Sequence, residues 1–518
     1  MDKFKTVSKF EELMVRRNKP TFNNYMNNLK IILLSFFILY AADHFAHGNR
    51  VKEIRGDEPR DQADSRNPAS VKNPELIDPP VLLDTANLGR YTSRTLNLLK
   101  NSDPQNPNEV KILVYGQSIS EQEWWLHIKE YVKDQYPHAN IVMENKAIGG
   151  FASQLLCKTV EMDVCSFYPD LVLLHIYGDV ACYDSVLYTI RSRTAAEVVI
   201  TNDHYTEEND WSDTMSYHLL PSLAEKYKCD LINIRDPWKK YLKDNNLEPA
   251  KLLKDGVHLN DDGNLVMAEL IKPVFTFRQH HPPDPFGLCT IYREGRDFTF
   301  RGKTLTLSFT GNRAVAVIEN EKSGTIRPLE ISVDGEPPTA HPGTHYMTRP
   351  YNDTGRYWPW QLPAMIRVRH HVPWLNEEWT LTFSKVVPPY TDFQFSVEGS
   401  VTGKDGNGTS LHDFVSPSGR VIIAGGDSEN GGDWHLNRSY KVSKAEVHPG
   451  DIVKWRTYSI GMDFYPPDQA PVKSGTDYPV LFQGIPNTNH LLKIKKTGKY
   501  KSKIKEIRIY KPFLSARE

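Results

Sequence analysis

Cysteine is scarce in this chain: five in 518 residues (Cys157, Cys165, Cys182, Cys229 and Cys289), with no CxxC pair. That excludes a disulfide-scaffold fold and a CxxC zinc or redox centre; whether any of the clustered four pair as disulfides or stay buried thiols is left open. An excess of either charge is also missing. The 63 Lys+Arg stand against 64 Asp+Glu, a net charge of −1, so no global positive field points to nucleic acid as a partner. At 39% hydrophobic and 25% charged residues the composition is that of globular domains, not of a disordered or collagen-like chain. A single domain of about 100–200 residues would leave much of this length unexplained, so two or more are expected.

Nor is there an apolar run of the ~20 residues that span a bilayer. The longest, Ile31 to Ala42 (IILLSFFILYAA), has twelve and follows Lys30. It suits the apolar region of a signal peptide, with an uncleaved membrane anchor as the alternative, and Met26 opens a segment that reads as a signal peptide by itself. Residues 1–46 are therefore assigned to a signal peptide or anchor, with cleavage after Ala42 or Ala46, and a secreted, periplasmic or cell-surface location is expected. Residues 47–85 have almost no aromatic or apolar clusters and read as a disordered linker.

What is present next is an alternation of strands and helices. VKILVY (Val110–Tyr115) precedes EQEWWLHIKEYVKDQY, whose Trp125, Ile128, Tyr131 and Val132 recur at helical spacing. NIVMEN, DLVLLHIY and EVVITN repeat the pattern, which predicts a parallel sheet covered on both faces, with ligands beyond the carboxyl ends of its strands.

Four short segments at such ends carry chemistry. Gly116-Gln117-Ser118-Ile119 puts a serine on a strand-to-helix turn, with its hydroxyl toward solvent and its amide available to an oxyanion. Asn145-Lys146-Ala147-Ile148-Gly149-Gly150 offers close backbone approach and another N–H. Tyr177-Gly178-Asp179 follows the third strand. Asp255-Gly256-Val257-His258 spaces a carboxylate and an imidazole so that the one can hold the other's N–H in a turn.

In this order the four blocks resemble the SGNH, or GDSL, hydrolase family over roughly residues 95–275. The resemblance implies a flavodoxin-like three-layer α/β fold and ester hydrolysis without a metal or other cofactor. By motif, Ser118 is the nucleophile, His258 the general base, Asp255 its orienting acid, and the N–H groups of Ser118 and Gly150 are oxyanion donors. Gln117 stands where the family has the Asp of GDS. In the third block the family's asparagine has no counterpart; Gly178 stands there, so the third donor falls to Gly178 or Asn145, with Asn202 and His204 as neighbouring candidates. The longer segments around GQSIS, NKAIGGFASQL and DGVHLNDDG are similar to a branch of carbohydrate-active esterases. That implies removal of acetyl groups from a polysaccharide or oligosaccharide, an acylated carbohydrate being the partner. A lipase or thioesterase, and a glycan-binding protein without activity, are the alternatives. Phe151, Tyr177, Trp124 and His204 are candidate substrate contacts, whereas Trp125, on an apolar helix face, is expected in the core.

After residues 282–285 helical periodicity fades. KTLTLSFT, RAVAVIE, LEISVDGE, EWTLTFSK and FQFSVEGS predict an antiparallel β-sandwich of jelly-roll type over 286–518, after a hydrolase-like domain over 86–281. Six of the ten tryptophans (Trp358, Trp360, Trp374, Trp379, Trp434 and Trp455) fall there, either as a binding surface or as core. The basic residues from Lys493 to Arg508 around Gly498 read as a hairpin with one charged face. The acidic, glycine-rich stretches KDGNGTS and GGDSENGGDW lack a full calcium-loop register, so no metal is expected. Asn352, Asn407 and Asn437 lie in N-x-S/T sequons.

Overall fold

The computed structural model describes residues 76, 78–105, 107–353, 363–371, 374–498 and 502–515. The signal-peptide or anchor assignment, most of the linker, and Trp358 and Trp360 lie outside the described residues. No helix among the described residues is long and apolar enough to cross a membrane.

After α1 (Ser93–Lys100), strands and helices alternate as β1 (Glu109–Gly116), α2 (Ser118–Glu121), α3 (Trp124–Gln135), β2 (Asn140–Asn145), α4 (Ser153–Val160), β3 (Leu171–His175), α5 (Val180–Arg193) and β4 (Glu197–Thr201). Then come α6 (Asp210–Thr214), α7 (Leu220–Tyr227), β5 (Asp230–Ile232), α8 (Arg235–Asp244) and α9 (Asp261–Ile271). The five strands pair in parallel in the order β2-β1-β3-β4-β5. β3 and β4 are buried at every position, as strands covered on both faces must be, and apart from His175, Glu197 and Thr201 they are apolar. On one face Leu113, Tyr115, Val172, Leu174, Val198 and Ile200 pack with Leu156 of α4 and Tyr183, Leu187 and Ile190 of α5. Each such side chain taken fully out of water contributes about 1.5–3 kcal/mol. Chain order reverses between β1 and β3, and at such a switch point the loops separate and leave a crevice beyond the strand ends.

From Cys289 on, the strands are antiparallel and build two separate cores. Thr304–Asn320 is central in one sheet, with Val480–Lys496 on one side and Ser502–Tyr510 on the other. Between these, Glu377–Lys385 lies between Gln394–Gly399 and Ile452–Ser459 in a second sheet. Ile318, Ile331, Phe482, Ile494 and Ile507 fill the first core; Leu381, Phe395, Val397, Val453 and Trp455 fill the second. The expected basic hairpin is corrected here. Val480–Lys496 and Ser502–Tyr510 both pair with Thr304–Asn320 and not with each other. Alternation marks each as a strand, but which strand each pairs with is not set by alternation.

Candidate active site

The serine turn is shaped by close approach. Gly116 ends β1 opposite His175 of β3, and a Cβ there would lie 2.0 Å from the His175 carbonyl oxygen. Only glycine permits β1 to run that near. Gln117 is extended and buried, and Ser118 opens α2 with its side chain half-exposed between buried Gln117 and Ile119. As the first helical residue it has an N–H with no intrahelical acceptor. Two bonds then fix the end of the turn: Gln122 Nε2 donates to the Leu259 carbonyl at 2.8 Å, and Leu259 N–H donates to Gln122 Oε1 at 3.0 Å. Leu259 is the residue after His258.

Asp255 and His258 form a tight unit of their own. Asp255 Oδ1 accepts from the backbone N–H groups of Val257 (2.8 Å) and His258 (2.7 Å), while Oδ2 faces His258 Nδ1 at 2.9 Å. Burial alone would raise the Asp255 pKa, but the imidazole and the two N–H groups outweigh it and hold the carboxyl down at about 2. An ionised carboxylate on Nδ1 selects the tautomer protonated there and leaves Nε2 with its lone pair.

The loop after β2 folds back on the serine turn. Ile148 N–H donates to the Gly116 carbonyl at 3.1 Å, and Asn145 spans the gap, its Nδ2 donating to the Ser120 carbonyl at 2.6 Å and its Oδ1 accepting from Ala147 N–H at 2.9 Å. Asn145 is thus a brace that spends its Oδ1 and one of its two amide N–H donors on the backbone. Gly150 takes φ +78°, which turns the chain into α4.

After β3, Asp179 caps α5 through the Cys182 N–H at 2.8 Å, and Gly178 sits at φ +124°. A Cβ on Gly178 would meet Gln154 Oε1 at 2.4 Å and Ser153 Oγ at 2.7 Å. The side chain of Gln154 therefore fills the space that any residue at 178 other than glycine would need. Asn202 is engaged by the backbone: its Oδ1 accepts from Ile234 and Arg235 N–H, and one N–H of its Nδ2 donates to Asn233.

Burial differs among the expected substrate contacts. Trp124 is buried, its Nε1 donating to the Ile119 carbonyl at 2.7 Å, while Trp125 is half-exposed with Lys129 over its ring. Successive residues lie about 100° apart around a helix, so the apolar face that takes in Trp124 leaves Trp125 at its margin. Phe151 is 1% exposed and packs edge-on to His435, and His204 is buried against Trp238 at 5.1 Å. Both side chains are almost wholly out of solvent. Tyr177 remains half-buried, edge-to-face with Trp211 at 5.9 Å. Burial and then Asp203 push its hydroxyl up to about 12.

Sequence reasoning passed over Gln154 and a second imidazole–carboxylate pair. His175 Nε2, at the end of β3, lies 2.9 Å from Asp203 Oδ1 beyond β4. Burial opposes ionisation of Asp203, but His175, followed by His204 and Arg235, lowers its pKa. The signal was a lone polar residue inside the buried run DLVLLHIY. All five cysteines are free thiols, with Cys165 and Cys229 buried; no group of three or more metal-ligating side chains occurs among the described residues.

No family model matches the chain, and no curated protein matches it. Among solved structures it is similar to an acetylxylan esterase from Geobacillus stearothermophilus, at 19% identity and a TM-score of 0.30, over 34% of this chain and 97% of that one. A catalytic mutant of that esterase matches at 18% and 0.31, with the same coverage. An alpha/beta hydrolase from the metagenome of Lake Arreo, Spain, matches at 17% and 0.30, over 34% of this chain and all of the other.

Proposed function

We propose that this chain is an exported serine ester hydrolase of the SGNH/GDSL kind that removes small acyl groups, above all acetyl, from carbohydrate hydroxyls. The observation that carries the reading is the Asp255–His258 pair, a carboxylate held ionised on Nδ1 so that Nε2 is a base. Its supports are the serine at the β1 end of a parallel sheet's switch point and the latch between Gln122 and Leu259.

In this reading His258 Nε2 takes the Ser118 Oγ proton as Oγ bonds to the acyl carbon. The negative charge that gathers on the carbonyl oxygen is met by the N–H groups of Ser118 and Gly150. The carbon–oxygen bond to the sugar breaks, and His258 returns the proton to the departing hydroxyl. Water, deprotonated by His258, then cleaves the acyl-enzyme to release acetate and restore Ser118. A third donor is drawn from the Gly178 N–H, the second N–H of the Asn145 amide and the Gln154 amide. Loss of about 10²–10³-fold in kcat on Gln154→Ala assigns it to Gln154, and an unchanged rate assigns it elsewhere. Tyr177 and Trp211 supply an aromatic wall suited to a sugar face.

The test is acetate release from acetylated polysaccharides, xylan among them, by the purified protein and by Ser118→Ala. Release by the parent alone, with acetyl preferred over longer acyl chains, is expected. Equal release by both proteins overturns the reading. Export is checked separately, by sequencing the amino terminus of the chain recovered outside the cytoplasm.

A further inference from the structure

A cavity of about 460 Å³ is lined by none of the residues proposed for catalysis. It opens where α4, the following turn Glu161–Cys165 and α5 meet loops of both antiparallel regions. Its size falls in the range of about 300–1,000 Å³ that small-ligand sites occupy. Its charge is one-sided, with Lys158, Arg193, Arg367 and Arg369 facing a single carboxylate, Glu161.

These cations are not equally engaged. Lys158 Nζ is spent on the carbonyls of Ser428 and Gly432. Arg367 holds the buried Asp433 at 3.1 Å, and Arg193 holds Glu161 at 3.0 Å while half of its side chain stays exposed. Arg369 reaches Asp433 only at 3.8 Å, too long for a hydrogen bond, and its side chain is 46% exposed. Planar guanidinium donors in that condition suit a carboxylate or sulfate. Asn487 also lines the cavity, and its Oδ1 is buried with no hydrogen-bond partner among the described residues, an acceptor suited to a hydroxyl. Trp374, half-buried and flanked by His345 at 5.6 Å and His370 at 5.2 Å, forms an aromatic wall. Both imidazoles add no charge there, since burial lowers their pKa, that of His370 to about 3.

We propose that this cavity binds a negatively charged sugar unit, with Arg369 and Arg193 holding its carboxylate or sulfate, Asn487 accepting from a hydroxyl, and Trp374 lining the ring. The anion is read from the lining; that a saccharide carries it rests on the esterase reading above.

The test is calorimetric titration of the full-length Ser118→Ala protein, in which no ester is turned over, with trigalacturonate, a sulfated trisaccharide, neutral xylotriose and inorganic sulfate. Binding of either acidic sugar, at least tenfold tighter than xylotriose and weakening with added salt, is expected, and the tighter of the two names the anion. Arg369→Ala should weaken that binding about tenfold or more; Arg193→Ala is a second probe should the first variant not fold. In the otherwise wild-type protein either change should leave p-nitrophenyl acetate hydrolysis unaltered. Equal affinity for xylotriose, affinity untouched by both arginine variants, or inorganic sulfate binding as tightly as the sugars overturns the proposal. A wild-type protein that hydrolyses no ester yet binds the acidic sugar overturns the esterase reading and leaves this site standing.

Discussion

At the scale of single residues, the Asp255 carboxylate is where most of the proposed chemistry is decided. Three donors meet it, so it stays charged down to about pH 2. The acid limb of a pH–rate profile therefore belongs to another group. Asp255→Asn should lower kcat by about 10³–10⁴-fold, because an amide presents the wrong partner to Nδ1 and releases the tautomer. Single-turnover rates at neutral pH check this. For stability the sign follows from the direction of the shift. The folded pKa lies below the unfolded one, so the Asp255 contribution is fully present above about pH 4 and is lost as pH falls through about 2. The stability gap between wild type and Asp255→Asn should accordingly hold above pH 4 and narrow below it. The DxxH spacing was enough to foresee this pair, since both partners lie within one turn. Gln154 was not foreseeable, since its place beside Gly178 depends on how α4 returns to β3.

At the scale of elements, strand ends and helix starts are held by buried charge and by close contact. The first turn of α1 is capped from a distance: Glu197 of β4 accepts from Arg94 N–H at 2.9 Å and Thr95 N–H at 2.7 Å. Burial pushes its carboxyl up to about 7, against the opposing pull of Arg94 and the two N–H groups. A raised acid pKa favours the folded state below the unfolded value and loses that advantage as pH rises through 7. Thermal denaturation between pH 4.5 and 8 should show the wild type losing stability relative to Glu197→Gln. A constant difference across that range would contradict the assignment. The β1–β3 contact gives a sharper test. Gly116→Ala drives a Cβ against the His175 carbonyl and should destabilise by about 1–3 kcal/mol or more, read from urea midpoints. Both features escape sequence reading, because each joins residues brought together only by sheet pairing.

At the scale of the whole molecule, the parallel-sheet region and the antiparallel regions share side-chain networks. Arg349 holds Asp163 at 2.5 Å, and the same Asp163 accepts from the Tyr115 hydroxyl of β1. Gln483 donates to the carbonyls of Cys165 and Ser166, Asn312 bonds the Tyr168 hydroxyl at 2.6 Å, and Phe151 packs on His435. Elements joined by buried polar pairs and common packing should unfold together. Calorimetry is expected to show one transition for these regions, and two well-separated transitions would overturn that expectation. Arg349→Ala should lower that transition, since it leaves Asp163 buried without its cation.

The sequence by itself determined what is local or periodic: the strand–helix alternation, the strand character of the carboxyl-terminal half, the serine turn, and the Asp255–His258 spacing. Tertiary structure alone decided everything that turns on which elements meet. It set the order β2-β1-β3-β4-β5, split the carboxyl-terminal strands between two cores, and seated the two ends of the expected basic hairpin on opposite sides of Thr304–Asn320. It also buried Trp379, Trp434 and Trp455 while leaving Trp374 on a cavity wall. The reason is physical: periodicity reports which face of an element is apolar, whereas the partner of that face, and any arginine or glutamine brought across to it, is set by packing between segments hundreds of residues apart.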